Sequence, residues 1–325
     1  MQIRKKTCLR GGLSGLVFSC AATLVSSAYA APVDCLSSGC QVSDATGAMA
    51  VNHGSPYITT DGFGYNVLNQ GGLSWQVGGK SVLFAQSSYF RIGSAGSETP
   101  LSALLWDSAT ADAASGTIRT VTEPGTIQVE SIYSLQPAIP GRLSQLMKDT
   151  KITNTSGGRM DLTWIEFFDF DLNGVPIESD DALTSILHAG TRVITQSNSQ
   201  VGLRAVNQWG MVTQSGQFVF NQPVGYALGS WRNNPNAGSP SLLETLVDGA
   251  VTNLTQSPDA VGQANDYMFA VQFSFSGLGD GESVTFRSLS TVSVPEPATL
   301  ALLMLGGVGM CLSRRRMPAR ADQAG

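Results

Sequence analysis

The sequence predicts an all-β fold, an antiparallel β-sandwich, from three observations. Apolar and polar residues alternate in several stretches, as in DYMFAVQFSFSG, where Phe269, Val271 and Phe273 would share one buried face. Turn clusters such as GSAGSETP and NNPNAGSP separate these stretches, and the chain contains 36 glycines. Helical periodicity is weak throughout. Many short strands with glycine-rich turns and little helix are typical of two packed antiparallel sheets.

Individual elements follow from the same patterns, taken in chain order. The stretches TIQVESIYSL, RMDLTWIEFFDFDL, GQFVFNQPVGYALGSW, DYMFAVQFSFSG and ESVTFRSLSTVSV predict strands because apolar and β-branched residues dominate them. Two stretches predict helices instead. DDALTSIL (180–187) follows an acidic cap, and SPSLLETLVDGAV (239–251) has Pro240 at a position suited to a first turn.

The first thirty residues predict a secretory signal helix. Four basic residues lie within the first ten positions, and an apolar stretch rich in small residues spans 11–26. Ala28-Tyr29-Ala30 then supplies the small-x-small pattern that signal peptidase cleaves. A first transmembrane helix is the alternative, but glycines and serines interrupt the stretch and the cleavage pattern follows at once. We therefore expect residues 1–30 to be removed and the mature chain to begin near Ala31.

The charge distribution argues against a nucleic-acid partner. The whole chain carries 19 Lys+Arg and 24 Asp+Glu. Four basic residues lie in the signal peptide and four near the C-terminus, so the part between them has 11 basic and 23 acidic residues. A body with this excess of negative charge would repel phosphates. It is compatible with cation binding and with solubility outside the cell.

The cysteine spacing predicts one local disulfide. Of five cysteines, only Cys35 and Cys40 belong to the body of the chain, in the stretch CLSSGC. In an oxidising compartment such a pair is most simply a disulfide that pins the mature N-terminus. A metal site would need two further ligands, and His53 and His188 are the only histidines.

The densest polar stretch, EFFDFDLNGVPIESDDA, predicts a possible Ca²⁺ loop. Asp169, Asp171, Asn173 and Gly174 match the opening D-x-D-x-N-G, and Asp180 lies at the twelfth position, where a Glu normally closes the loop. Carboxylates on alternate residues converge when the backbone curls around a hard cation. The alternative is an acidic hairpin reversed at Asn173-Gly174, because a strand pattern precedes the motif where a Ca²⁺ loop would follow a helix.

We find no catalytic motif and expect no catalytic residue. The sequence has neither a Gly-x-Ser-x-Gly nucleophile elbow nor a His-Glu-x-x-His zinc motif. A glycosidase would need a carboxylate pair, for instance Glu166 with Asp169 or Glu178, but sequence gives no separation in space. The five tryptophans could form a sugar-stacking platform. A sandwich of this size would sooner bury them in its core.

The C-terminal stretch VPEPATLALLMLGGVGMCLSRRR combines a Pro-Glu-Pro triplet, an apolar segment and an arginine cluster. The apolar residues 298–312 are fewer than the ~20 that comfortably span a bilayer, and three glycines weaken them as a permanent helix. Arg314, Arg315 and Arg316 would remain cytoplasmic as a membrane stop, which places the body outside. These features predict a short transmembrane helix that is a sorting label or, alternatively, a retained anchor.

This stretch closely resembles the PEP-CTERM sorting signal of Gram-negative bacteria. The resemblance covers about the last thirty residues and implies that Pro295, Glu296 and Pro297 are recognised by an exosortase-type membrane peptidase. It also implies export through the inner membrane to the cell surface or a polysaccharide matrix. ITNTSGGRMDLTWIEFFDFDLNG (152–174) resembles, more weakly, a segment of many proteins that carry this tail, and it implies a β-rich domain.

Together these features predict three regions: a signal peptide at 1–30, a β-sandwich at 31–293 and a sorting signal at 294–325. The expected function is that of an exported surface or matrix protein, structural or adhesive, with extracellular polysaccharide as a candidate partner. Two alternatives stay open: a secreted hydrolase acting on matrix glycans, and a Ca²⁺-dependent carbohydrate-binding module.

Overall fold

A computed structural model describes most of the body of the 325-residue chain. The described residues are 31–36, 39–43, 47–52, 57–60, 66–69, 72–77, 80–101, 104–136, 144–172, 182–188, 191–198, 201–212, 218–220, 223, 225–230, 242–255, 260–261 and 267–293. Strands dominate these residues, and one short helix accompanies them. The predicted signal peptide and the whole of the predicted sorting signal lie outside the described residues.

An eleven-stranded antiparallel sheet forms one layer, with strands numbered in chain order. Across the sheet they are β1 (Val33–Asp34), β9 (Ser108–Asp112), β10 (Thr117–Thr122), β11 (Ile127–Gln136), β12 (Ser144–Asn154), β21 (Ser283–Ser293), β16 (Leu203–Val212), β15 (Thr191–Asn198), β14 (Ala182–His188) and β19 (Ala260–Val261), with β17 (Phe218–Phe220) beside β16.

An eight-stranded antiparallel sheet forms the second layer. Its strands are, in order, β18 (Gly225–Ser230), β20 (Tyr267–Leu278), β13 (Met160–Asp169), β7 (Lys80–Ile92), β6 (Gly72–Val77), β3 (Gly47–Asn52) and β2 (Cys40–Ser43), with β8 (Thr99–Pro100) beside β7. A separate hairpin pairs β4 (Tyr57–Thr60) with β5 (Asn66–Asn69).

Aromatic side chains hold the two layers face to face. The ring of Trp164 on β13 lies 5.4 Å from that of Phe286 on β21, and the rings of Phe168 and Trp209 are 5.7 Å apart. Trp75, Trp164 and Trp209 are fully buried in this core, so they are unavailable as a sugar-stacking platform. The prediction of an all-β fold with two packed antiparallel sheets is confirmed.

A helix covers the outer face of the eight-stranded sheet. Helix α1 (Leu242–Val247) buries Leu243 and Leu246 against Tyr89, Ile165 and Phe167. The centre of this sheet is therefore apolar on both faces, as expected of a sheet that is covered on both sides. For that reason every residue of β20 from Tyr267 to Phe273 is buried, and the predicted alternation is lost there.

One predicted helix is confirmed and the other is wrong. Helix α1 falls within the predicted stretch 239–251. The stretch 180–187 instead contributes strand β14, which pairs with β15 from Ala182 opposite Ser197 to His188 opposite Thr191. The stretch is too short for its pattern of apolar residues to distinguish a helix from a strand. Backbone hydrogen bonds to β15 stabilise the strand.

The predicted disulfide between Cys35 and Cys40 is confirmed, with the two Cα atoms 5.2 Å apart. Cys35 follows β1 of the eleven-stranded sheet, and its amide donates to Ala109 O at 3.0 Å. Cys40 opens β2 of the eight-stranded sheet. The bond therefore pins the N-terminal segment where the chain passes from one layer to the other.

Asn154 ties together two turns at one end of the sandwich. This fully buried side chain donates from Nδ2 to Gly158 O at 2.6 Å and to Leu278 O at 2.7 Å, and its Oδ1 accepts from Ser156 N at 2.9 Å. The stretch NTSGG thus forms a turn that leads directly into β13.

We expect Asn154→Ala to lower the free energy of unfolding by about 2 kcal/mol, because the carbonyl of buried Leu278 loses its donor and the turn loses its hydrogen bond to Gly158 O. Urea unfolding of the purified protein measures this loss. Thr153→Ala is the matched control, since Thr153 pairs with Ser283 at the surface and its loss should lie within about 0.5 kcal/mol of zero. Equal losses for the two variants would contradict this role of Asn154.

Among the residues that the structure describes, no helix has both the length and the hydrophobicity needed to cross a bilayer. The predicted signal helix and the C-terminal segment 298–312 lie outside those residues and stay predictions.

Candidate functional site

The predicted Ca²⁺ ligands are only partly described. Asp169 ends β13 and is half-buried, and Asp171 lies two residues further on with 6% of its surface exposed. Asn173 and Asp180 lie outside the described residues. Within the described part of the chain, no three His, Cys, Asp or Glu side chains lie together as a metal site would require. The Ca²⁺ loop therefore stays a prediction.

The sorting residues also fall outside the described part of the chain. Pro295, Glu296 and Pro297 follow directly after β21, which ends at Ser293. Arg314, Arg315 and Arg316 lie further along the same C-terminal segment. Strand β21, the last described strand, is central in the eleven-stranded sheet, between β12 and β16, and it ends two residues before Pro295.

A closed cluster of polar side chains lies between the two sheets. We call Glu166, Lys148, Gln86, Ser88 and Trp164 the interior ion cluster. The Lys148 ammonium on β12 lies 2.9 Å from each carboxylate oxygen of Glu166 on β13. The side chain of Glu166 is fully buried and that of Lys148 is 3% exposed. This ion pair joins the two layers through the core of the sandwich.

Neutral donors complete the coordination of the Glu166 carboxylate. Oε1 accepts from Trp164 Nε1 at 2.8 Å and from Ser88 Oγ at 3.0 Å. Oε2 accepts from Gln86 Nε2 at 2.8 Å. These bonds satisfy the lone pairs that the lysine leaves over, which a buried carboxylate requires.

The surroundings of Lys148 are equally well defined. Its Nζ donates to Ser88 Oγ at 2.5 Å and lies 5.7 Å from the centre of the Tyr133 ring. The Gln86 amide also reaches Ser288 Oγ at 3.3 Å, which links the cluster to β21. Every one of these side chains is at least nine-tenths buried.

Strand parity explains why these charges point inwards. Every second residue of β12 is buried, so the lysine belongs to the inward face; the buried positions are Ser144, Leu146, Lys148, Thr150, Ile152 and Asn154. Glu166 likewise lies within the buried run of β13. Our reading of the sequence missed Lys148 and Gln86. The signal that could have revealed the cluster was a lysine at an alternating position of β12 that it shares with a leucine and an isoleucine.

Every side chain of the interior ion cluster is at least nine-tenths buried, so within the described residues the groups that contact the Glu166 carboxylate are the protein's own. Glu166 and Asp169 are three residues apart on β13 and therefore point to opposite faces of the strand. Glu178 lies outside the described residues. Chemistry at Glu166 is thus restricted to the protein's own groups: a carboxylate that contacts both a primary amine and a primary amide.

A second polar cluster fastens residues 242–255, which we call the strap, to the outer face of the eight-stranded sheet. Buried Arg91 pairs with Glu98 and also donates to Thr252 O at 3.0 Å. Glu98 accepts from Thr252 N at 3.0 Å, and Gln272 Oε1 accepts from Leu254 N at 2.7 Å. These side chains hold the backbone of the strap against the sheet.

The outer face of the eleven-stranded sheet carries ordinary surface ion pairs. Arg287 on β21 donates from Nε and Nη2 to the two oxygens of Asp149 on β12, at 2.5 Å and 2.6 Å. This hydrogen bonding raises the pKa of Arg287, against the opposing effect of partial burial. Because arginine stays protonated at all physiological pH values, the pair supports cross-strand register and gives no pH switch.

Several solved structures share a broad resemblance with this chain. A bacterial glucoamylase complexed with acarbose is 9% identical with a TM-score of 0.42, and the match covers 70% of this chain and 29% of the other. A protein described as a kojibiose phosphorylase from the human microbiome is 9% identical with a TM-score of 0.38, covering 80% and 28%. A protein described as an aldose 1-epimerase from Escherichia coli K12 is 9% identical with a TM-score of 0.39, covering 79% and 99%.

This chain therefore spans less than a third of the first two of these proteins. At such identities and TM-scores, the matches assign no substrate and no reaction to it. No curated protein matches the chain. One protein-family description does, namely the PEP-CTERM protein-sorting motif, at residues 293–316. This chain thus carries the PEP-CTERM motif of exported proteins that an exosortase sorts in Gram-negative bacteria.

Proposed function

We propose that this protein is a structural or adhesive component of the cell surface or extracellular polysaccharide matrix, and that it is not an enzyme. The observation that carries the proposal is the PEP-CTERM motif at residues 293–316. Signal peptidase would act near Ala31, and an exosortase-type peptidase would act at the Pro-Glu-Pro triplet after a transient membrane stage. The acidic sandwich between them is the part that reaches the matrix.

The interior of the sandwich supports a non-catalytic role. The acid–base pair of Glu166 with Lys148 is buried between the sheets. The next buried pair, Arg91 with Glu98, fastens the strap. Both pairs are placed to hold the fold together, which suits a protein that must persist outside the cell.

Sorting is tested by the mature C-terminus. In the producing bacterium, we expect mass spectrometry of the surface fraction to find a C-terminus near Pro297. Changing Pro295 and Pro297 together to alanine should retain most of the protein in the membrane fraction with its arginine-rich end intact. Pro318→Ala, a proline change outside the triplet, is the matched control and should sort normally. Wild-type protein recovered from the surface with an intact tail would overturn the processing step.

The matrix role is tested with the polysaccharide of the producing cells. We expect the purified protein to co-sediment with this polymer and to release no reducing ends from it. Release of reducing ends would favour the hydrolase instead. Binding that disappears with chelator and with Asp169→Ala would favour the Ca²⁺-dependent carbohydrate-binding module.

A further inference from the structure

We propose that the interior ion cluster is the precursor of an intramolecular amide between the Lys148 side chain and the Gln86 side chain, with Glu166 as the proton carrier. Such a bond would join β12 of the eleven-stranded sheet to β7 of the eight-stranded sheet. The two layers of the sandwich would then be covalently linked through their core. The inference stands on the geometry of the cluster and is independent of the proposed function.

The three reacting groups already share one atom. Glu166 Oε2 accepts from Lys148 Nζ at 2.9 Å and from Gln86 Nε2 at 2.8 Å, so the amine and the amide lie side by side on one carboxylate oxygen. The nitrogen of the amide, its leaving group, is the atom that contacts the carboxylate. A proton taken from the amine can therefore be delivered where the leaving group needs it.

The reaction balances without an oxidant or a co-reactant. Glu166 first takes a proton from the Lys148 ammonium, which leaves a neutral amine and a carboxylic acid. Nζ then attacks Cδ of Gln86, the Nζ–Cδ bond forms, and Glu166 relays the proton lost by Nζ to Nε2. The Cδ–Nε2 bond breaks and ammonia leaves. Lys148 and Gln86 end as a secondary amide, and Glu166 ends as a neutral carboxylic acid.

Burial favours this reaction in two ways. Water is excluded from the cluster, since Glu166 is fully buried and Lys148 and Gln86 are each 3% exposed, so hydrolysis does not compete. The reaction also removes two opposite charges from the low-dielectric core, where each carries a desolvation cost. The fold holds both groups against one carboxylate oxygen, which raises their effective concentration far above that of free groups in solution.

The test is peptide mapping of the full-length protein from producing cells. The expected result is one tryptic species in which residues 81–91 are joined to residues 143–151, lighter than the two peptides together by one ammonia. Cleavage after Lys148 should be lost, while cleavage after Lys151 on the same strand proceeds. Recovery of Lys148 and Gln86 in separate linear peptides would overturn the proposal.

Two further outcomes decide which groups react. In Glu166→Gln the side-chain shape is kept and the proton carrier is removed, so a folded sample should give linear peptides only. If this variant fails to fold, the wild-type map still decides the question by itself. A link between Lys148 and Glu166 that has lost one water instead would overturn the assignment of Gln86 as the acceptor.

Discussion

Replacing Lys148 with methionine is expected to lower the free energy of unfolding by about 3–5 kcal/mol, because the substitution leaves the Glu166 carboxylate charged and unpaired in the core. The remaining donors, Trp164, Ser88 and Gln86, are neutral and cannot compensate a full charge. For a domain of this size the loss corresponds to a fall in Tm of roughly 10 °C. Thermal unfolding followed by circular dichroism measures it.

Lys151→Met is the matched control for this prediction. Lys151 lies on the same strand but is exposed on the opposite face, so its loss should stay within about 0.5 kcal/mol of zero. The double variant Lys148→Met/Glu166→Gln removes both charges and should recover most of the stability. The loss in Lys148→Met is expected for the ion pair and for its amide product alike, since both need Lys148, whereas recovery in the double variant is expected for the ion pair alone. A Tm for Lys148→Met equal to that of Lys151→Met would contradict it.

Gly225→Ala is expected to cost about 3 kcal/mol by forcing overpacking between β18 and the strap. An added Cβ at Gly225 would lie 2.0 Å from the backbone oxygen of Leu254. That backbone cannot move aside easily, because Leu254 N donates a hydrogen bond to Gln272. Two residues earlier, the backbone of Thr252 is held by hydrogen bonds with Arg91 and Glu98. The strap should therefore lift from the sheet.

Hydrogen exchange locates this effect. In Gly225→Ala the amides of Thr252 and Leu254 should exchange much faster than in the wild type, while amides of β12 change little. Gly158→Ala is the matched control, since nothing lies within 4 Å of an added Cβ at Gly158. Unchanged protection of the strap in Gly225→Ala would show that the contact is relieved by some other movement.

The strand pattern was the most predictable part of the fold. β13 and β21 lie within stretches whose composition predicted strands. On β21 the alternation is less regular, because the inward residues between Phe286 and Val292 are Ser288 and Ser290 while Leu289 points outwards. Ser288 and Ser290 make polar contacts inside the sandwich, to Gln86 and Asn207. The hydropathy pattern of β21 therefore did not show which of its faces lies inside the sandwich.

The choice between helix and strand at 180–187 depended on backbone hydrogen bonds to β15, which form only when the chain folds. Eight residues of mixed polarity satisfy either period, and pairing with β15 resolves the choice. The same reasoning applies to β20. Its alternation predicts one exposed face, but helix α1 covers that face and buries Met268 and Ala270.

The candidate sites divide in the same way. The sorting motif was readable because recognition there depends on a contiguous string of residues, from the Pro-Glu-Pro triplet to the arginines. The interior ion cluster was not, because Gln86, Lys148 and Glu166 come from three strands in two sheets. Residues this far apart in sequence meet only through the packing of the layers.

The sequence by itself determined that this protein carries an exosortase sorting motif, that its body is built of strands, and which two cysteines are joined. Each of these properties is local, because a peptidase motif, an alternating strand and a short disulfide loop are set by neighbouring residues. Only the tertiary structure decided which charges lie in the core and which of them contact one another. That outcome depends on inter-sheet register, where a shift of one residue would turn Lys148 from the core to the solvent.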